Sequence, residues 1–179
     1  KTVLAEIVAQ LLVGDANLVA SLPPSQFGGF GASTLDGKLL NVVTELPESK
    51  VLQSDRMKAI VSGDPIFVDV KYREGYTLRP ICANLLCVNS IPQMSDVSGG
   101  LKRRLLVQDF NRSFLEDAER RTKDEIMNEL RGFAMAIRVR CLHAAGELRA
   151  DGDFPVSQEQ ARALGTIVRR SSTPDAFIE

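Results

Sequence analysis

Two short apolar runs do most to constrain the fold. One lies in "KLLNVVTEL", Lys38 to Leu46, and ends on Thr44 and Glu45. The other, Leu85 to Val88 in "NLLCVN", ends on Asn89. Runs of this length bounded by polar or turn-forming residues read as buried strands. Between them, "ESKVLQSDRMKAIVSGD" alternates charged and apolar residues at helical period and is closed by Gly63. "PIFVDVKYREGYTLRP" then offers two β-prone arms, Ile66 to Val70 and Tyr76 to Leu78, flanking a "KYREG" loop that contains Gly75. A further strand is expected from Arg104 onward.

Helical patterns frame this set. "TVLAEIVAQLLVG" places Val3, Leu4, Ile7, Val8, Leu11 and Leu12 on one face and stops at Gly14. "LPPSQFGGFGAS" is rich in Pro and Gly and reads as a loop. From Phe114 the character changes to one long helical region with a break at Gly132, and a last helix in "SQEQARALGTIVRR" takes Ser157 as its N-cap. The expected organisation is an α/β core over residues 1–112 and a C-terminal helical region over residues 113–179.

Composition removes several function classes. With 179 residues, 44% of them hydrophobic, and a net charge of −1, the chain suits one globular domain with a sizeable core. No apolar run approaches the roughly 18 residues of a membrane span, and no leader pattern opens the chain, so no membrane partner and a cytoplasmic location are expected. Cys82, Cys87 and Cys141 have neither metal-ligand spacing nor an even count and read as buried, reduced thiols. His143 is the only histidine and falls in a helical stretch, which leaves little for a Cys–His nucleophile or a histidine metal site. The charge balance carries no nucleic-acid footprint, so such a partner must rest on local basic clusters.

Two such clusters exist, "KYR" at Lys71–Arg73 and "KRR" at Lys102–Arg104. Nucleoside triphosphate hydrolysis needs a phosphate cradle with a lysine, a carboxylate at a strand end, a polar group on the attacking water, and a cation for the developing charge. The chain supplies candidates in order. Lys1-Thr2 opens an amphipathic helix as the end of a G-x-x-x-x-G-K-[ST] loop does. Glu45 and Asn89 end strands, the position where open α/β sheets place ligands. Arg103 and Arg104 follow. Each alone also has a plain reading, as a solvated side chain or an exposed turn.

Taken together, "GKLLNVVTELPES", "MKAIVSGDPIFVDVKYREGYTLRP", "NLLCVNSIPQMSDVSGGLKRRLLVQDFNRSF" and the closing "PDAFIE" resemble the C-terminal helicase domain of phage and plasmid primase-helicases, in superfamily 3 of the helicases. The resemblance implies an AAA+-like P-loop ATPase core with a mostly parallel sheet and a pre-sensor β-hairpin, followed by C-terminal helices. It implies Lys1 on the β/γ-phosphates of ATP, Thr2 as a ligand of Mg²⁺, and Glu45 as the Walker B acid that activates water beside the metal. Asn89 matches the sensor, and Arg104 the arginine finger, with Arg103 as the neighbouring alternative. Lys71, Tyr72 and Arg73 match a hairpin tip that grips DNA.

The implied protein is an ATP-driven DNA helicase of a phage or mobile element, working as a hexameric ring on single-stranded or forked DNA, with a primase domain upstream in the same chain. Two departures go with it. Thr44 stands where many such ATPases carry a second acid, and the glycine loop with the strand before it, central in that fold, is absent from these 179 residues. The chain alone is therefore expected to be inactive. The alternative expectation is a degenerate ATPase that serves as a binding module for DNA or a replication protein.

Overall fold

The computed structural model describes residues 1–46, 54–89, 99–111, 114 and 121–172. Helix α1 (Thr2–Glu6) runs into a π-helical segment, Ile7–Val13, that ends at Gly14 with φ 77°. The expected amphipathic helix is thus present, with its second half wound wider than an α-helix. π-helical turns are rare and free carbonyls that an α-helix would use. In its last turn, where any helix leaves carbonyls unpaired, the Leu11 carbonyl accepts from Arg138 Nε at 2.7 Å.

Strands β1 (Val19–Ala20), β2 (Leu40–Val43) and β5 (Ala83–Leu86) form a sheet in the order β1-β2-β5, with both pairings parallel. β2 is shorter than the apolar run that predicts it, because Leu39 is exposed while Leu40, Asn41 and Val43 are buried. β5 begins and ends two residues before the run Leu85–Val88. The "LPPSQFGGFGAS" loop is more ordered than its composition suggests. It folds into 3₁₀ turns, Pro24–Gln26 and Gly29–Leu35, that bury Phe27, Ala32 and Leu35.

Helix α2 (Ser54–Ser62) presents Met57 and Ile60, three residues apart, to the core, and Gly63 at φ 70° stops it. The hairpin of β3 (Ile66–Val70) and β4 (Arg73–Leu78) corrects the expected arms. Val70 pairs with Arg73, so the loop is Lys71-Tyr72 alone, and Gly75 lies inside a strand. A bulge lets Glu74 and Gly75 oppose Asp69 between the Val68–Tyr76 and Val70–Arg73 pairs. Ile66, Val68 and Leu78 face the core, and Tyr76 is fixed by its hydroxyl, which donates to Asp36 Oδ2 at 2.8 Å.

A short helix α3 (Gly99–Lys102) precedes the two arginines. The strand expected from Arg104 does not form: Leu105–Phe110 has no strand assignment. Leu105 and Val107 pack on the core while Leu106 and Gln108 are exposed, an alternation of strand period. A strand also needs a partner, and no described strand lies beside this segment.

Helices α4 (Lys123–Gly132), α5 (Ala134–Asp151) and α6 (Gln158–Ser172) complete the chain, with the expected break at Gly132. A capping box between Thr122 and Glu125 starts α4, and its hydrogen bonds hold the Glu125 carboxyl below its ordinary range. Ser157 caps α6 as expected, its Oγ accepting from Gln160 N at 3.2 Å. α6 buries Ala163 and Ile167, and Ile167 joins the same core as Met57, Ile60 and Val68. Of the cysteines only Cys82 is buried; Cys141 is exposed on α5, as is His143. Among the described residues no helix is long and apolar enough to cross a membrane. The boundary at Ser113 and the "PDAFIE" tail lie outside the described residues.

Candidate functional site

Parallel strands deliver their C-terminal ends to one edge of the sheet, and α1 starts at that edge. Lys1 Nζ donates to Asn89 Oδ1 at 2.7 Å and to the Val88 carbonyl at 2.8 Å. Both acceptors are neutral dipoles, so they orient the ammonium without cancelling its charge. The contact also fixes the Asn89 amide: its oxygen faces Lys1, and its NH₂ points away, free to donate to a water or an anionic oxygen. Cys87 Sγ lies 3.9 Å from the Lys1 carbonyl and helps seat the start of α1 on the end of β5.

Glu45 belongs to the same edge. Val43, the last residue of β2, pairs with Leu86, the last of β5, so Glu45 follows the C-terminal end of β2 as Val88 and Asn89 follow that of β5. Thr44 and Glu45 are exposed there, and Thr2 is exposed on the first turn of α1. The structure thus brings Lys1 and Asn89 into contact, with Thr2 next to Lys1 in the chain and Glu45 just past the end of the neighbouring strand β2.

Arg104 does not join them within one chain. Its Nε donates to Ser62 Oγ at 2.6 Å and its Nη1 to the Gly100 carbonyl at 2.5 Å, at the C-terminal end of α2. Gly63 there sits against the carbonyl of Pro80, which precedes β5. Arg104 is thus at the entry of β5 and Lys1 at its exit, and the strand itself spans roughly 13 Å. Arg103 is exposed in the same turn. Lys71, Tyr72 and Arg73 form the hairpin tip, with Tyr72 fully exposed and held at φ 62°.

Lys1 and Asn89 also line the end of a cavity of about 320 Å³. Its walls are Leu85–Asn89 on one side and Leu105–Asn111 on the other, and Met57 and Ile167 contribute to its floor. The Ala83 and Cys87 N–H groups donate to Leu39 and Val43 carbonyls. By the alternation of a parallel ladder, Leu86 and Val88 turn their backbone groups to the other edge, the side of this cavity, where the Val88 carbonyl holds Lys1. A second cavity, of about 480 Å³, lies between α1 with its π segment and strands β1 and β2, lined mainly by small residues such as Ala5, Ala9 and Ala20.

Two features escaped the sequence reading. Asn41 is fully buried and accepts from Leu22 N (2.7 Å), while its Nδ2 donates to Leu22 O (3.0 Å) and Asn84 Oδ1 (2.9 Å). The available signal was a second asparagine, Asn84, at the same depth of the neighbouring run; the two are register partners. Ser62 as the seat of Arg104 had no sequence signal. Among the described residues, no three His, Cys, Asp or Glu side chains gather as a metal-binding group.

These features define a mixed α/β protein with a small parallel sheet, polar groups gathered at the C-terminal strand ends, and helices at the C-terminus. Residues 1–104 match the model of a family described as a family of unknown function, DUF5906, and the chain belongs to that family. The match ends at Arg104 and so contains every candidate residue, from Lys1 to the two arginines.

Proposed function

We propose that this chain is the ATPase core of a DNA helicase related to superfamily 3, completed by sequence on the N-terminal side of Lys1 in a longer parent. The observation that carries the reading is the pairing of Lys1 with Asn89, the two residues matched to the phosphate-binding lysine and the sensor. An ammonium held by neutral acceptors beside an amide donor suits a triphosphate and its attacking water, and the exposed Glu45 carboxylate follows the neighbouring strand end.

The sheet supports the same reading. In the resembled fold a P-loop strand lies between the sensor strand and the strand after the arginines. Here the cavity between β5 and Leu105–Asn111 borders the open edge of β5 and ends at Lys1. A strand entering there in parallel with β5 would lead into α1 and give Leu105–Phe110 its missing partner.

In this reading Lys1 holds the β/γ-phosphates, Asn89 orients the water, and Glu45 takes its proton. Thr2 and Glu45 would supply side-chain oxygens to Mg²⁺, with phosphate oxygens completing the shell, as suits that ion. Thr44 in place of a second acid leaves the shell more dependent on phosphate and water. Arg104, remote from its own Lys1, completes the site of the next subunit in a hexameric ring. The hairpin tip Lys71–Arg73 contacts single-stranded or forked DNA, and a primase domain precedes the core.

Mixed rings test the assembly. Arg104→Ala and Glu45→Gln parents should each be inactive in ATP-dependent separation of forked DNA. Mixing them should restore activity well above either alone, since a finger acting in trans contributes about 10³-fold or more. Mixtures no better than the separate variants would remove Arg104 from the role, and Arg103→Ala run beside it decides between the two.

A further inference from the structure

The outer face of the hairpin carries an aromatic surface that the tip residues do not include. Phe67 is 59% exposed, yet its ring is not splayed into solvent. It lies across Gly75 on the facing strand: a Cβ on Gly75 would overlap the ring, standing 2.8 Å from Cε1, and would press on the Val68 carbonyl oxygen at 2.9 Å. The glycine thus leaves room for the tip of the ring over β4, while most of the side chain stays exposed.

Laying an aromatic across a strand glycine is also a packing device. Two further observations point past packing. The turn four residues along holds Tyr72 fully exposed at φ 62°, a second open aromatic on the same hairpin. The charges matter too. Lys71 and Arg73 at the tip are matched by Asp69 and Glu74 beside them, all four exposed. A polyanion would gain phosphate contacts at the two cations but little net attraction from the hairpin as a whole, so much of its binding must come from uncharged contact.

We propose that the exposed ring of Phe67, seated over Gly75, is a stacking platform for one base of single-stranded DNA whose phosphates are held at Lys71 and Arg73. The assignment of DNA as the ligand rests on the function proposed above; the platform itself rests on the Phe67–Gly75 geometry. Phe67 is about 13 Å along the strand from the tip, a distance that a few nucleotides of a single strand can bridge. Stacking on an aromatic is indifferent to base identity, as a translocating protein requires, and raises affinity by about tenfold per base.

The experiment compares binding of an oligothymidine and an abasic oligonucleotide of equal length to the full parent chain. The wild type should bind the base-bearing strand about tenfold more tightly. Phe67→Leu, which keeps an apolar cover on Gly75, should lose that preference while holding the abasic strand as before, with an unchanged salt slope. Phe67→Trp should retain the preference, and Lys71→Ala should weaken both ligands and flatten the slope. The platform is overturned if Phe67→Leu still prefers the base-bearing strand, and loss of the preference in Tyr72→Ala instead would put stacking at the tip while leaving the hairpin's role intact. A wild type that binds neither strand overturns the platform and the DNA role together.

Discussion

At Asn41 a buried amide connects the chain leaving β1 to β5: it satisfies both backbone groups of Leu22 and the side chain of Asn84. Asn41→Leu should leave the Leu22 N–H and C=O without partners in the interior, at a cost of about 3 kcal/mol. Urea unfolding should show this as a lower midpoint with little change in slope. A loss below about 0.5 kcal/mol would mean that the segment after β1 finds other partners. The residue scale is also where the sequence is least legible. A single asparagine in an apolar run resembles an error in a buried strand until its partner is known, and the pairing of Asn41 with Asn84 spans 43 positions. Lys1 and Asn89, 88 positions apart, became joint candidates only through a family resemblance, because no local pattern links the start of a helix to the end of a distant strand.

Among the elements, those set by local rules were readable. The Gly14 and Gly63 stops, the Ser157 cap and the break at Gly132 all follow from backbone preferences within a turn or two. The hairpin arms were misjudged because Gly75 looks like a turn residue, whereas its actual role is set by the ring of Phe67 across the ladder. The turn falls instead at Tyr72, which sequence preference disfavours there. Replacing it should expose that conflict: Tyr72→Gly relieves the left-handed strain and should stabilise the protein by roughly 0.5–1 kcal/mol after the added flexibility of the unfolded chain is subtracted. The same substitution should weaken DNA binding if the tip has the proposed role. Thermal unfolding and oligonucleotide binding on one preparation would show the two effects with opposite signs; a destabilised variant would mean that the Tyr72 side chain contributes to the fold itself. Leu105–Phe110 shows the other limit of local reading. Its alternation has strand period, but hydrogen-bonded partners make a strand, and β5 turns its open edge to a cavity rather than to this segment.

For the whole molecule, the mixed α/β class and the helical C-terminus were legible from periodicity, while the order β1-β2-β5 was not, since pairing order depends on contacts between distant segments. Among the described residues that order leaves β5 at the edge of the sheet, a place where parallel sheets are normally covered or paired. The last helix, through Ile167, packs into the core that α2 and the hairpin build, so the C-terminal region and the sheet are coupled in stability. The Lys1–Asn89 contact, the edge of β5 and the seat of Arg104 at Ser62 are what support the function proposed above, that of an ATPase core completed by a neighbouring subunit. Mg-ATP binding and turnover by the full parent, wild type against Glu45→Gln, test it most directly. The account predicts that the wild type hydrolyses ATP and that Glu45→Gln binds Mg-ATP with similar affinity but loses turnover by about 10²-fold or more, because an amide cannot accept the proton of the attacking water. Turnover in Glu45→Gln equal to the wild type, or a parent with an intact P-loop that binds no nucleotide, would contradict it.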